Sequence, residues 1–413
     1  MPSDRPSTKN FLLAAGVVAH TLWTSVAPTI VYPLYARQWD LTPTVTAGVF
    51  AVYPLVVVAT LILFGGLSDT LGSRRMMLYG VAASAMGVLV FGLASDVAML
   101  FLGRVLMGIG VGLSAGPSAA ALVEAAGPGG VRKASAATLI AQAFGFAAAL
   151  LIGGALAQYA PYPTRLSFLV LFLLLVALLL GTWSLPRQNT GRPVAWRPRL
   201  PKIPRELRRP FWLAAFTVMT AYGNGALIGS LGAQIAHELV QSDNLLVNGT
   251  TLALFPVALG MAGLGARGLC APAVILWGAG ASVAGMGCMA AAVSRHELGF
   301  LAVATMGSGV GYALMVYGGL ALLGAAVPEA VRGATTSAAF LLSYLFTGVL
   351  TFGLGRLATV LGTGTAVITG VLILAALCAL VVLFTARPGG GVRRAAAAVT
   401  PTGTAAGQRT RAF

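Results

Sequence analysis

The stretch Gly65-Gly66-Leu67-Ser68-Asp69-Thr70-Leu71-Gly72-Ser73-Arg74-Arg75 joins two long apolar runs and decides the fold class of the chain. Within it, Asp69 is the only acidic residue between Asp40 and Asp96. A charge at the end of an apolar helix is costly unless it leaves the lipid or finds a partner. One acid, two arginines and three glycines therefore predict a polar turn between two membrane-spanning helices.

The composition of the whole chain indicates the same class. Of its 413 residues, 58% are hydrophobic and only 9% are charged, and the mean hydropathy is +0.88. Soluble domains carry about 25% charged residues, so a soluble fold of this chain would lack the polar surface to cover its core. We therefore predict an all-α polytopic membrane protein.

Twelve apolar runs are long enough to span a bilayer, which takes about twenty residues. They lie at 11–34, 45–67, 75–95, 98–122, 135–158, 165–185, 211–235, 247–266, 271–293, 297–325, 334–355 and 363–385. The chain is thereby predicted to contain an N-terminal six-helix bundle over 1–185, a basic cytoplasmic linker over 186–210, a C-terminal six-helix bundle over 211–386 and a disordered cytoplasmic tail over 387–413.

The basic residues predict the topology. If both termini are cytoplasmic, 21 of the 26 Lys and Arg residues fall on the cytoplasmic side, which is the bias of the positive-inside rule. The exceptions are Arg37, Arg104, Arg165, Arg295 and Arg356. This placement explains the net charge of +16 without a nucleic-acid partner. We predict a multi-pass protein of the plasma (inner) membrane with cytoplasmic N- and C-termini.

The chain lacks the patterns of an enzyme or a metalloprotein. No nucleotide-binding loop and no nucleophile–base pair with recognisable spacing stands out. Cys270, Cys288 and Cys378 lie in or beside apolar runs without paired spacing, so we expect small core residues there. We therefore expect no catalytic residues, no metal site and no cofactor.

The two halves repeat at a period of about 200 residues. The run Met107–Gly112 matches Met306–Gly311, and Tyr53-Pro54 matches Phe255-Pro256. Several matches in the same order at a nearly constant offset indicate a duplication. Each half has six predicted spans, so both halves share one topology and are related by a pseudo-two-fold axis along the membrane normal. A substrate site is then expected at the midplane between the halves.

Two motifs carry a family resemblance. The spacing G-x-L-x-D-x-x-G-x-R-R around Asp69 resembles the loop between helices 2 and 3 of the major facilitator superfamily, a large family of secondary transporters. Arg104, followed by Gly108, Gly110 and Gly112, resembles the helix 4 signature of the same family. The resemblance implies the family's fold of twelve transmembrane helices in two six-helix bundles.

In that family the loop after helix 2 latches the two halves together on the inner side and releases during transport. The resemblance implies this role for Gly65, Asp69, Gly72 and Arg74 or Arg75, with Glu124 as counter-ion. Asp69 is expected to cap the start of helix 11, because the free N–H groups of a helix N-terminus attract an anion. A static polar stop between two helices is the alternative.

Two charged or titratable residues lie within predicted spans. The resemblance makes Arg104 a proton-coupling or substrate-orienting cation, and snorkelling to the outer interface is the alternative. His20 lies near the centre of helix 1 and has a side chain that can titrate near neutral pH. It is a candidate for carrying a proton or binding substrate, and a structural histidine bonded to a neighbouring carbonyl is the alternative.

Polar and aromatic residues in otherwise apolar spans form a candidate cavity lining. They are Trp23, Gln142, Tyr222, Asn224, Tyr312, Tyr317 and Tyr344. The run Gly223-Asn224-Gly225 predicts a local break in helix 7, a feature from which transporter sites are often built. Each residue taken alone is equally well explained by packing.

We predict a secondary transporter that moves a small organic solute by alternating access, with export of a drug or metabolite favoured. A sugar-like nutrient importer and a transport-dead membrane sensor are the alternatives. Proton-antiporting members of the family carry a Gly-Pro pair in helix 5 where this chain has Ala149-Leu150. Because all ten acids fall at predicted ends or loops, no buried carboxylate is available to carry a proton, which argues against drug/proton antiport. His20, coupled to Arg104, is the remaining candidate for a titrating site within the spans if protons are a partner. The expected partners are the solute and the lipid bilayer, and the expected state is a monomer.

Overall fold

The computed structural model describes residues 8–64, 67–127, 130–186, 207–266 and 268–386. Twelve helices in these ranges are long and apolar enough to cross a membrane, which confirms the predicted number. They are α1 (Thr8–Val26), α2 (Pro43–Phe64), α3 (Ser73–Gly92), α4 (Val97–Ala126), α5 (Val131–Tyr159), α6 (Leu166–Trp183), α7 (Arg208–Gln234), α8 (Leu245–Gly265), α9 (Ala271–Arg295), α10 (Leu298–Ala326), α11 (Glu329–Leu361) and α12 (Thr363–Ala386). Most of the predicted linker and the whole predicted tail lie outside the described residues.

We call the side of the bundle opposite the predicted cytoplasmic loops the outer side. It holds the connections at 39–42, 93–96, 160–165, 235–244, 296–297 and 362. The first span reaches this side in three pieces, because α1 is followed by a 3-10 turn (Ala27–Ile30) and a short helix (Tyr32–Gln38). Pro28 and Pro33 occupy the first turns of these two pieces, where a missing N–H costs little.

The predicted break in the seventh span at residues 223–225 is wrong. Helix α7 continues unbroken to Gln234, and the irregular turn is a π-helical one at Ile235–Leu239. Because Gly223 has no side chain, the side chains of Phe346 and Leu374 pack directly against its backbone. The small residue therefore serves close helix packing, and the hydrogen bonds of the helix remain intact.

Two core clusters correspond to the two halves. One joins α1–α4 and α6 around Phe91 and Phe168, whose ring centroids are 4.8 Å apart. The largest cluster joins α7–α12 and takes in Phe146 and Leu150 of α5. The halves meet along two helix pairs, in which α2 packs against α11 and α5 against α8.

The internal repeat is visible in equivalent helix contacts. A Cβ atom at Gly110 would lie 2.6 Å from the Gly80 carbonyl oxygen, and one at Gly311 would lie 3.0 Å from the Gly278 carbonyl oxygen. The α3–α4 and α9–α10 contacts are thus the same contact in each half. By these contacts Gly110 is equivalent to Gly311. The sequence match indicates instead an equivalence with a residue two positions earlier in α10.

Candidate functional site

Arg104 on α4 is the largest side chain that the fold buries completely, with 0% exposure. Its guanidinium donates hydrogen bonds to the carbonyl oxygens of Ser25 at 2.8 Å, Val49 at 3.3 Å and Phe50 at 3.4 Å. The same group lies over the ring of Tyr53, 4.5 Å from the ring centroid. The cation is therefore held by backbone dipoles and an aromatic face inside the N-terminal half.

Two local features leave those carbonyl groups available. Pro54 in α2 has no N–H to donate to the carbonyl four residues earlier, that of Phe50. Because α1 ends at Val26, Ser25 lies in its last turn, whose carbonyls lack partners within the helix. The five N–H groups of Arg104 can serve several such acceptors together. Complete burial places Arg104 inside the bundle, which is inconsistent with the snorkelling alternative. A coupling role for Arg104 stays a prediction.

The C-terminal half repeats this contact without the charge. Thr305 on α10 donates from Oγ1 to the Thr251 carbonyl oxygen at 3.0 Å. In the register of the helix contacts, Thr305 corresponds to Arg104, and Thr251 corresponds to Val49. Each half thus ties its fourth helix to its proline-containing second helix, and the N-terminal half alone does so with a cation.

His20 is buried within the N-terminal bundle. Its Nδ1 contacts the Val17 carbonyl oxygen, and its Nε2 lies 3.3 Å from Ser84 Oγ on α3. The C-terminal half holds an equivalent pair, in which Asn224 Nδ2 on α7 lies 3.4 Å from Ser282 Oγ on α9. These contacts favour the structural reading of His20, and they orient Asn224 toward the packing of α7 against α9.

Three of the predicted lining residues come together as a tyrosine cluster. The rings of Tyr222 and Tyr312 are stacked with centroids 5.5 Å apart, and Tyr344 meets Tyr222 edge-on at 5.1 Å. Phe255 meets Tyr312 at 5.7 Å and Phe146 at 5.4 Å. Because Phe146 belongs to α5, the row of aromatic rings extends from the C-terminal half into the N-terminal half.

Tyr53 is a functional candidate that sequence reasoning missed. Its ring lies against the Arg104 guanidinium, and it belongs to the core cluster of the N-terminal half, against which Tyr344 of α11 packs. Tyr53 and Tyr344 thus belong to one set of packed residues that crosses the interface between the halves. The available signal was its position immediately before Pro54, at the site where α2 frees a carbonyl group.

The other predicted lining residues are more dispersed. Trp23 packs against both core clusters, of which the larger also contains Val26 and Ile30 of the first span. Gln142 is half-buried on α5. Tyr317 follows Tyr312 by five residues, which places it about 140° further around α10. The ring contacts of the tyrosine cluster accordingly involve Tyr312 and not Tyr317.

Part of the predicted inner latch is described. Gly72 has a φ of 82°, in the left-handed region that favours glycine, and it precedes α3. Arg74 donates to the Trp183 carbonyl oxygen at the end of α6, where a cation is favourable. Arg75 and Glu124 are exposed. Arg74 thus fastens α3 to α6, a contact that the predicted pairing with Glu124 did not anticipate.

The remaining latch predictions fall outside the described residues. These are Gly65, the side chain of Asp69, and the side chains at 329–334, where α11 begins. The backbone of Asp69 lies in a short helix, Ser68–Leu71. The capping of α11 by Asp69 stays a prediction.

Hydrogen bonds join the two halves at the outer side. Thr29 donates from Oγ1 to the Gly229 carbonyl oxygen at 2.8 Å. The Thr44 N–H donates to Thr359 Oγ1 at 2.9 Å, and the two threonine hydroxyls lie 2.7 Å apart. These contacts connect α2 to α11 and the first span to α7. Because the groups in these hydrogen bonds are uncharged, breaking any of the bonds leaves no unpaired charge in the membrane.

Two further contacts complete what we call the outer gate. Gln158 at the end of α5 accepts from the N–H of Leu245, the first residue of α8, at 2.7 Å. Arg37 lies 3.1 Å from His237 Nδ1 and 3.9 Å from Asp243, and His237 lies 3.3 Å from Asp243. With Thr29–Gly229 and Thr44–Thr359, these groups close the outer end of the interface between the halves.

Carboxylates are confined to helix ends and connections in the part of the chain whose side chains are described. They belong to Asp40, Asp96, Glu124, Glu238, Asp243 and Glu297. In the same part of the chain, no three His, Cys, Asp or Glu residues come together as metal ligands. Within the described residues, the charged groups between the halves are thus those of the outer gate and Arg104.

Twelve spanning helices in two repeated bundles, joined at the outer side by hydrogen bonds and with an aromatic cluster in the C-terminal half, are typical of a membrane transporter. The sequence profile of the Major Facilitator Superfamily matches residues 12–345. The chain therefore belongs to this family of transporters and is an integral multi-pass membrane protein. Family and neighbours are transporters and not enzymes.

Three relatives show the range of similarity. The puromycin resistance protein pur8 of Streptomyces alboniger is 32% identical over 168 residues, which are 40% of this chain and a third (33%) of that protein. A peptide transporter (POT) structure has a TM-score of 0.71 at 16% identity, covering 91% of this chain and 93% of its own. The nucleoside transporter NupG has a TM-score of 0.72 at 13% identity, covering 92% and 99%. The two structures show the fold alone.

Proposed function

We propose that the chain is an exporter of a small amphipathic solute with an aromatic group, working by alternating access in the plasma membrane. The observation that carries the proposal is the tyrosine cluster of Tyr222, Tyr312 and Tyr344, in which Tyr344 also packs against the core cluster of the other half that contains Tyr53. Aromatic pairs gain about 0.5–1.5 kcal/mol beyond their buried area. A planar aromatic solute could take the place of one ring and stack on its neighbour. The stabilisation of an aromatic pair would then be retained.

The charges of the interface support a neutral or weakly charged solute. Arg104 is already engaged by three carbonyl groups and the Tyr53 ring, and the described carboxylates lie at helix ends. A phosphate or a dicarboxylate would meet no free cation there, and burying an unpaired charge is costly. The partial similarity to a puromycin resistance protein favours export of an aromatic compound over import of a sugar.

Alternating access requires the outer gate to open when the inner side closes. The halves meet along the α2–α11 and α5–α8 pairs, so a rocking motion would separate Thr44 from Thr359 and Gln158 from Leu245. Asp69 and its loop are the proposed latch on the inner side. A solute drives the exchange only if it binds the two states with different affinity.

Vesicles with the purified chain and an imposed pH gradient test this proposal. Puromycin serves as the aromatic probe, with a sugar and an amino acid for comparison. We expect net movement of the aromatic probe toward the outer side, and Tyr222→Leu to weaken it more than the matched Tyr317→Leu, which lies outside the cluster. Transport of the sugar without movement of aromatic probes would favour the importer alternative.

Proton coupling through His20 is a separate proposal with its own test. His20→Gln preserves hydrogen-bonding capacity toward the Val17 carbonyl and Ser84 but removes the titrating group. A flattened pH profile of transport in this variant would support coupling. An unchanged profile with normal flux would leave His20 as a structural residue.

A further inference from the structure

An apolar groove lies on the outer side between α3 and α6, away from the interface between the halves. Its cavity volume is about 260 Å³, and Val88, Leu89, Leu93, Leu166 and Leu169 line it. The residues from Val88 to Leu93 cover about 8 Å along the helix. The groove therefore extends from the outer membrane surface into the region of the acyl chains.

A single cation stands at the mouth of the groove. Arg165 is exposed, directly precedes α6 and lines the same cavity. It meets no carboxylate among the described residues. Arg165 is also one of five basic residues outside the predicted cytoplasmic side. The outer gate accounts for Arg37, the backbone carbonyls account for Arg104, and the Phe300 ring contacts Arg295. Among the residues that the structure describes, Arg165 and Arg356 pair with no carboxylate, and only Arg165 lines the groove.

The groove is open toward the bilayer. Leu93 is 57% exposed and Leu169 is 46% exposed, and exposed leucines on a spanning helix face lipid. Tyr162, 71% exposed at the same mouth, is the residue type enriched at membrane–water interfaces. The groove is apolar where it faces the acyl chains, and Arg165 lies at its mouth, on the side of the headgroups. This arrangement matches a lipid with an anionic headgroup.

We propose that this groove is a binding site for an anionic phospholipid. One acyl chain lies between α3 and α6, and the phosphate group pairs with Arg165. The positive end of the α6 helix dipole adds to the attraction for an anion. The lipid would fasten α6 to α3 at the outer side.

Native mass spectrometry of the purified full chain tests the site, with phosphatidylglycerol and phosphatidylcholine of identical chains as probes. We expect phosphatidylglycerol to bind more tightly. Arg165→Gln should weaken that binding about fivefold, the equivalent of about 1 kcal/mol for one basic residue at an anionic surface. The matched Arg356→Gln, another exposed arginine at the outer side, should retain wild-type binding. Leu93→Trp, which fills the groove, should weaken the binding of both lipids.

Several results would overturn the proposal. They are equal binding of the two lipids by the wild-type chain, an Arg165→Gln variant that binds as the wild type does, or an equal loss in Arg356→Gln. Displacement of the lipid by the transported solute would identify the groove as a solute port instead. If Arg165→Gln does not fold, the wild-type preference for phosphatidylglycerol should still fall at high salt, and a salt-independent preference would contradict a charge contact.

Discussion

Removal of one hydroxyl group from the outer gate should open it measurably. Thr359→Val keeps the side-chain shape but deletes the oxygen that contacts both the Thr44 N–H and the Thr44 hydroxyl. A hydrogen bond contributes about 0.5–1.5 kcal/mol net, so two would contribute about 1–3 kcal/mol. Water reaches this exposed pair and can replace the lost partner. We therefore expect the substitution to shift the free-energy difference between the closed and the outward-open state by about 1–2 kcal/mol. The outward-open population should therefore rise about 5- to 30-fold.

Labelling by a membrane-impermeant thiol reagent measures this change. Val26→Cys, one helical turn inward from Thr29 and 5% exposed, is introduced into a chain without its three native cysteines. When opening is faster than labelling, the rate follows the open fraction, so Thr359→Val should raise it about 5- to 30-fold. The matched control is Thr369→Val, whose hydroxyl bonds only within α12, to Thr365. Equal rates in Thr359→Val and wild type, or an equal rise in the control, would refute the role of this contact.

The remaining predictions concern charges and rings. Arg37→Gln should raise the same labelling rate less than about fivefold, because exposed ion pairs contribute only about 0–1 kcal/mol; a rise larger than that of Thr359→Val would contradict this ranking. Arg104→Gln should lower the melting temperature and abolish flux, since several charge-assisted hydrogen bonds at about 1.5–3 kcal/mol each are lost, and Arg356→Gln should do neither. Tyr344→Leu should raise the KM for an aromatic solute about 2- to 10-fold, and an unchanged KM would exclude Tyr344 from the site. Asp69→Asn should reduce flux at normal insertion, and wild-type flux would remove the latch role.

The fold was predictable from the sequence because each span carries its own signal. Length and hydropathy identify a spanning helix without any knowledge of its neighbours. The orientation that the arginine distribution indicates stays a prediction. The break predicted at residues 223–225 failed because small residues in a membrane helix serve close packing as often as they serve a break. The contacts of Gly223 with two bulky side chains make that distinction, and they are not local in sequence.

The site was only partly predictable because its partners are either backbone groups or distant residues. Arg104 was identified, but the carbonyls that hold it carry no sequence signature apart from Pro54. Tyr222, Tyr312 and Tyr344 were named singly, and only the packing of α7, α10 and α11 brings them together. The threonines and Gln158 of the outer gate are ordinary residues at helix ends. Their role emerges only from the pairing of the halves.

The most direct test of the central claim is a pair of distances measured by pulsed electron spin resonance in sealed lipid vesicles. One spin-label pair spans the outer gate, at Thr42 and Val360, and the other spans the inner side, at Val123 and Leu264; all four positions are exposed. On addition of the transported solute and a driving gradient, the outer distance should lengthen while the inner distance shortens. If both distances stay fixed, or both lengthen together, the halves do not exchange access between the two sides of the membrane.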